Sequence, residues 1–136
     1  MKMLLVMAPV TLLLACGKQQ ASRDDVHSDL IKSISLASES ETFVRYLRQH
    51  RSTYYFASGY LNDLLNEVNR TAKELSNLNA SPDLMDALNV DRVQLSLLAV
   101  QIDNVDRHLQ QADVLAASED QIRKIRMSLV QANSSL

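Results

Sequence analysis

Only two glycines and two prolines occur among the 136 residues of this chain. Pro9 and Gly17 lie near its N-terminal end, which leaves Gly59 and Pro82 to punctuate all that follows. β-Sheets need tight turns, and turns draw mainly on Gly, Pro, Asn and Asp at fixed positions. A chain so short of breakers reads as all-α, and its apolar periodicity predicts a long antiparallel helical hairpin within a three- or four-helix bundle.

The periodicity divides as follows. A first amphipathic segment is expected from about Asp24 to Ala37, where Val26, Leu30, Ile31, Ile34 and Ala37 recur three and four apart. "SESET" at 38–42 offers either a cap or a polar turn of a continuing helix. From Val44 a seam through Leu47, Arg51, Tyr54, Ser58, Leu61, Leu65, Val68, Ala72 and Leu75 predicts one long helix to about Asn77. Ser81, Pro82 and Asp83 then supply an N-cap, a first-turn proline and an acid at the positive helix end. The seam of that next helix passes through Leu88, Leu95, Leu98, Ile102, Val105, Leu109, Ala112 and Ala116. Val90, Val93, Leu97 and Val100 make its opposite side apolar too, so a further element is expected to cover them. "SEDQ" at 118–121 has the capping-box pattern, which places a break near Ala117 before a C-terminal helix carrying Ile122, Ile125, Leu129 and Ala132. No internal repeat is read from the chain.

The first fifteen residues have one cation, Lys2, and an apolar run from Met3 to Leu14. A spanning helix needs about 20 apolar residues, so residues 1–15 read as a signal peptide. Leu13-Leu14-Ala15-Cys16-Gly17 resembles the lipobox of bacterial lipoproteins. That resemblance implies acylation of Cys16, the chain's sole cysteine, with covalent lipid as its only non-protein group. Gly17 in place of Asp implies the outer membrane at its periplasmic face, or the cell membrane where there is only one. Residues 16–23 are then the lipidated cysteine and a short polar tether, with a reach of about 25 Å, and 24–136 form a single helical-bundle domain.

Lys and Arg number 14 against 16 Asp and Glu, a net charge of −2. Loss of residues 1–15 removes Lys2 and no acid, which makes it −3. Nucleic-acid binding is not expected from that balance. Nor is enzyme activity: His27, His50 and His108 are far apart, and no HExxH, GxSxG, SxxK or glycine-rich phosphate loop is present. Carboxylates near His27 and His108 raise the question of a metal, but helical bundles commonly build such sites from Glu-x-x-His pairs, and none occurs. Those charges read as solvated helix faces, and no metal or other cofactor is expected.

Residues 43–61, "FVRYLRQHRSTYYFASGYL", hold all six aromatic side chains of the chain, three arginines and no acid. On one continuous helix, Phe43, Leu47, Tyr54 and Leu61 fall in the seam, whereas Arg45, Arg48, Ser52, Phe56 and Tyr60 share the opposite face. Gly59, between the last two, would let another backbone come close. An aromatic ridge edged by arginines has the composition of an interface core. If a terminal helix crosses this face, Phe56 and Tyr60 are instead bundle core. The expected function is a non-enzymatic, membrane-anchored binding or assembly factor for an envelope protein complex, with a preference for an acidic partner or an anionic surface, contact with lipid itself ranking below contact with protein. In architecture it resembles the small helical pilotin lipoproteins of secretins, although no pilotin motif or cysteine pair is present. The alternatives are a bundle that binds a metal or small ligand, and a self-associating lipoprotein with an envelope-spacing or exclusion role.

Overall fold

The computed structural model describes residues 19–136. The expected signal peptide, the lipobox and Cys16 lie outside them. The described chain opens on β1 (Gln19–Ala21) and continues as α1 (Arg23–Gln49), α2 (Tyr54–Ser76), β2 (Leu78–Ala80), α3 (Pro82–Arg107) and α4 (Ala112–Ser134). It is an all-α bundle of four helices, with α2 and α3 forming an antiparallel hairpin.

Each helix runs antiparallel to the one before it, and α4 returns along α1. His27 on the first turns of α1 meets Asn133 near the end of α4 at 2.6 Å, while Arg45, late in α1, reaches Glu119, early in α4, at 2.9 Å. Across the α1–α2 boundary Lys32 pairs with Glu74 at 3.3 Å and Tyr60 with Glu39 at 2.5 Å. The apolar stripes converge on one core whose largest fully buried members include Leu30, Leu61, Leu88, Leu95, Leu98, Ile102, Ile122 and Leu129. Burying a Leu or Ile side chain stabilises by roughly 1.5–3 kcal/mol, so this core is the main force closing the bundle.

The start of the domain is held in two ways. Ser22 Oγ accepts from the Asp25 amide at 3.2 Å, and Asp25 Oδ2 accepts from the Ser22 amide at 2.8 Å, a closed capping box. The Ser22 amide and the Ser22 hydroxyl both donate to the Asp25 carboxyl, each at 2.8 Å, and hold it below the ordinary carboxylate range by favouring the charged form. Just before it, β1 pairs in parallel with β2, Ala21 facing Ala80, and both alanines are buried. The expected tether therefore does not run free to residue 23. Its last residues are fastened beside the α2–α3 loop.

The α2–α3 junction follows the sequence closely. α2 ends at Ser76, Asn77 caps it, and Pro82 opens α3. Arg92 reaches back to close this corner: its guanidinium donates to Leu75 O at 3.1 and 2.8 Å and to Leu78 O at 2.5 Å. Leu75 O is among the last carbonyls of α2, which a helix end leaves without intrahelical partners, whereas Leu78 O belongs to β2.

Two helix boundaries differ from expectation. The single helix from Val44 to Asn77 is in fact two, broken at 50–53. "SESET" is helical interior, so α1 continues well past Ala37. A straight continuation would have carried Arg51 and Ser58 along the core seam. The break leaves Arg51 exposed, and Thr53 restarts the chain by accepting from the Phe56 amide at 3.3 Å. Likewise α3 does not run to Ala116. It ends at Arg107, and Ser118 lies buried inside α4, where its Oγ accepts from Asn104 Nδ2 at 3.2 Å instead of capping a helix. The expectation of a cover over the back of α3 also fails in part: Val90 is half-buried, but Val93, Leu97 and Val100 remain exposed.

Candidate functional site

The helix break redistributes the six partner-contact candidates. Arg45 and Arg48 are on α1, Ser52 is in the connector, and Phe56, Gly59 and Tyr60 are on α2. They form no single helix face. What the fold makes of them is two adjoining surfaces at the end of the bundle where α1 turns into α2.

The first is aromatic. Phe43 on α1 is buried at its centre and stacks on Tyr60 of α2 with ring centroids 4.2 Å apart. Tyr46 lies 6.0 Å from Phe43 on one side and Phe56 lies 6.2 Å away on the other, and His50 extends the array by stacking on Tyr46 at 4.6 Å. Tyr60 is half-buried, and its hydroxyl donates to Glu39; that bond, with burial, pushes the phenol up to about 12. Tyr60 thus fastens α2 to α1. Phe56 is 55% exposed and the adjacent Tyr54 and Tyr55 are 62% and 87% exposed, so the array offers its outer rings to solvent. Beside it opens a cleft of about 600 Å³ lined by Leu47, His50, Arg51, Ser52, Tyr54 and Leu109. Gly59 is exposed, and a Cβ there would meet nothing within 4 Å.

The second surface is ionic, and it depends on a repeat that the sequence reading passed over. Residues 40–48 read SETFVRYLR and residues 118–126 read SEDQIRKIR, both S-E-x-x-x-R-x-x-R. The two copies lie on α1 and α4, and the antiparallel crossing sets them against each other. Ser40 and Ser118 are buried, as are Glu41 and Glu119, while the arginines reach outward. Glu41 takes bonds from Arg45 of its own copy at 3.0 Å and from Arg123 and Arg126 of the other at 3.1 and 2.7 Å. Glu119 does the converse, meeting Arg123 at 3.4 Å, Arg45 at 2.9 Å and Arg48. The network is approximately two-fold symmetric because the motif is self-complementary when run antiparallel.

Burial alone would raise both glutamates, but hydrogen bonds and charge from Arg126 and Arg123 on Glu41, and from Arg48 and Arg45 on Glu119, outweigh it. Both carboxyls stay below their ordinary range. Arg45 and Arg48 thus find acidic partners within their own chain. The absence of acids from 43–61 has this counterpart, since the acids that meet these arginines stand at 41 and 119.

A third polar feature is internal. Asp91 on α3 is 1% exposed, and neither its oxygens nor the equally buried Ser33 Oγ on α1 has a protein hydrogen-bond partner. Burial first, and the nearby Asp29 charge as well, push Asp91 up to about 7, against a smaller lowering influence of the Ser33 hydroxyl. Among the described residues no group of three His, Cys, Asp or Glu side chains is placed to hold a metal ion, and no helix is long and apolar enough to cross a membrane. No protein-family model matches the chain, and no curated protein or solved structure matches it either, so only its own residues speak to its function.

Proposed function

We propose that this chain is a lipid-anchored, non-enzymatic binding protein at the periplasmic face of the outer membrane, or on the cell membrane where there is only one. Cys16 carries the lipid, and the bundle holds a protein partner of an envelope assembly. The observation that carries this reading is the exposed aromatic corner: Tyr54, Tyr55 and Phe56 stand in solvent at the end of the bundle opposite β1. Tyr and Phe are costly to leave exposed and are enriched at protein interfaces, where they supply contact area with few rotatable bonds. α1 has 27 residues, so at 1.5 Å per residue the corner stands about 40 Å from the end where the tether enters. An anchor at Cys16 with a tether fastened by β1 would present that corner away from the lipid.

The test is photo-crosslinking in membranes, with benzoylphenylalanine at Tyr55 of the full lipidated chain and, as a control, at the exposed Asn89 on α3. Capture of a defined protein from Tyr55 but not Asn89, and its loss on Cys16→Ser, is the expected result. Equal capture from both positions, or none from Tyr55, overturns the reading.

Self-association is a second reading, favoured by one observation: Val93, Leu97 and Val100 make an exposed apolar stripe on α3 at spacings of four and three. Sedimentation of the unlipidated domain at increasing concentration, with Leu97→Glu beside it, tests this. A dimer that Leu97→Glu dissolves supports it, and a monomer at all concentrations refutes it.

A further inference from the structure

The paired motifs on α1 and α4 do more than join two helices. Four guanidiniums surround two buried carboxylates, and at the rim Asp120 pairs with Arg123 at 3.1 Å and with Lys124 at 3.6 Å, so that five cations stand against three carboxylates. A closed internal network would match its charges, whereas this one keeps a surplus of two positive charges on a molecule whose net charge is −2. Side-chain exposures of 44%, 42%, 41% and 32% for Arg45, Arg48, Arg123 and Arg126 bring that surplus to solvent. The outermost arginine of each motif is the least used: Arg48 and Arg126 each engage a glutamate through a single nitrogen. A guanidinium has five N–H donors in a planar fork, so most of theirs point elsewhere.

We propose that this arginine face is a docking site for an acidic segment of the protein partner, one that presents a run of carboxylates. The proposal rests on the reading that the chain binds a protein, and it adds the partner's chemistry. Charge complementarity carries it. Guanidiniums bind carboxylates through paired, charge-assisted hydrogen bonds. Here the buried glutamates hold the inner side of each fork, which orders the arginines before any partner arrives and lowers the entropy lost on binding. The face also adjoins the aromatic corner, because Arg45 and Arg48 share the last turns of α1 with Tyr46. One partner segment with acidic and apolar residues can therefore cover both. An anionic lipid surface is the less suited occupant. Arg45 lies 22 residues beyond Arg23 in α1, about 33 Å along the helix from the fastened tether.

The experiment uses the full lipidated chain, nitrogen-15 labelled, in micelles of uncharged detergent, with a decaglutamate peptide as the probe and the arginine Nε–H resonances as the readout. Addition of peptide is expected to shift Arg45, Arg48, Arg123 and Arg126, leaving Arg70 and Arg107 in place. Affinity should fall about tenfold or more between roughly 50 and 300 mM salt. Arg48→Gln with Arg126→Gln should weaken binding about tenfold, and Arg48→Lys with Arg126→Lys, which keeps the charge but loses the paired geometry and serves as the control for folding, should fall between the wild type and the glutamine pair. No shift of the four arginines, or equal shifts of Arg70 and Arg107, overturns the proposal. So does a response of the four to phosphatidylglycerol vesicles without any response to decaglutamate. If decaglutamate fails while capture from Tyr55 persists, the acidic segment alone is removed; if capture from Tyr55 also fails, the binding reading falls with it.

Discussion

Asp91→Asn should make the protein more stable at pH 8. The carboxyl is 1% exposed and lacks a protein hydrogen-bond partner, and it titrates at about 7 in the fold against 3.8 when free. A shift of about three pH units corresponds to about 4 kcal/mol at 1.36 kcal/mol per unit. The direction follows from which state holds the proton. With the folded-state value raised, Asp91 imposes no penalty below about pH 4, where it is protonated in both states. The fold weakens as pH rises toward 7, because only the folded state still binds the proton, and above 7 the whole penalty is present. Asparagine has the same shape and cannot ionise, and its amide can donate to Ser33 Oγ. Urea unfolding at pH 5 and pH 8, followed by circular dichroism, is the assay. Comparison with the variant isolates the group, because Glu41 and Glu119 titrate below that window and Asp29, which burial also raises, is common to both proteins. The wild type should lose stability across the window and the variant should stay nearly level, overtaking it by up to about 4 kcal/mol at pH 8. A variant weaker than wild type at pH 8, or a wild type as level as the variant, would refute the picture of a buried carboxyl without a partner.

The other expectations concern the helix ends and the crossing. Glu119→Gln leaves Arg45, Arg48 and Arg123 without their carboxylate; because those arginines are partly solvated, the loss should be about 2 kcal/mol, below that of a fully buried pair. Wild-type stability should also fall below about pH 4.5 as Glu41 and Glu119 protonate, and acid titration of the variant should show a shallower fall. Gly59→Ala should raise stability by about 0.5–1 kcal/mol in urea melts, since the added methyl meets no neighbour and alanine favours a helix. A loss of stability there would mean that the face is covered. Arg92→Met keeps the stem but strips the donors from Leu75 O and Leu78 O; a cost of about 2 kcal/mol, with faster amide exchange at the end of α2, is expected.

How much of this was readable in the sequence depends on which physical signal each feature uses. The all-α class followed from the scarcity of glycine and proline, and the α2–α3 hairpin from "NLNASPDL", where cap, proline and acid stand in their ordinary order. Those are local signals that act within a few residues. The break at 50–53 is marked only by Thr53, an N-cap residue type that equally occurs inside helices. His50, Arg51, Ser52 and Thr53 include neither glycine nor proline, and the apolar seam continues past them in phase. Only the tertiary preference decides it: α1 packs on α4 and α2 on α3, which one straight rod could not do at once. The same limit hid α4's true start, because Gln111 makes no side-chain cap bond and so left no residue-type signature.

The two serine–glutamate pairs show why local reading also passed over the α1–α4 crossing. Ser118 with Gln121, and "SESET" with its serines, carry the residue types that cap helices, and both were open to that reading. In the fold each pair lies mid-helix, where serine is small enough to let two helices approach and glutamate becomes a buried counter-ion. The information that distinguishes the two uses was present, but at a distance of 78 residues: arginines four and seven positions after Glu41 recur four and seven positions after Glu119. A cap needs only its own first turn, whereas a buried carboxylate needs cations, and here each glutamate draws them from both helices. Glu-to-Arg spacings of four and seven, found twice with the same serine before them, are therefore better evidence of a helix crossing than of two helix starts. The same spacing leaves Arg48 and Arg126 as the outlying cations of the cluster, which is why the surplus charge, and any acidic partner it attracts, belongs to that face.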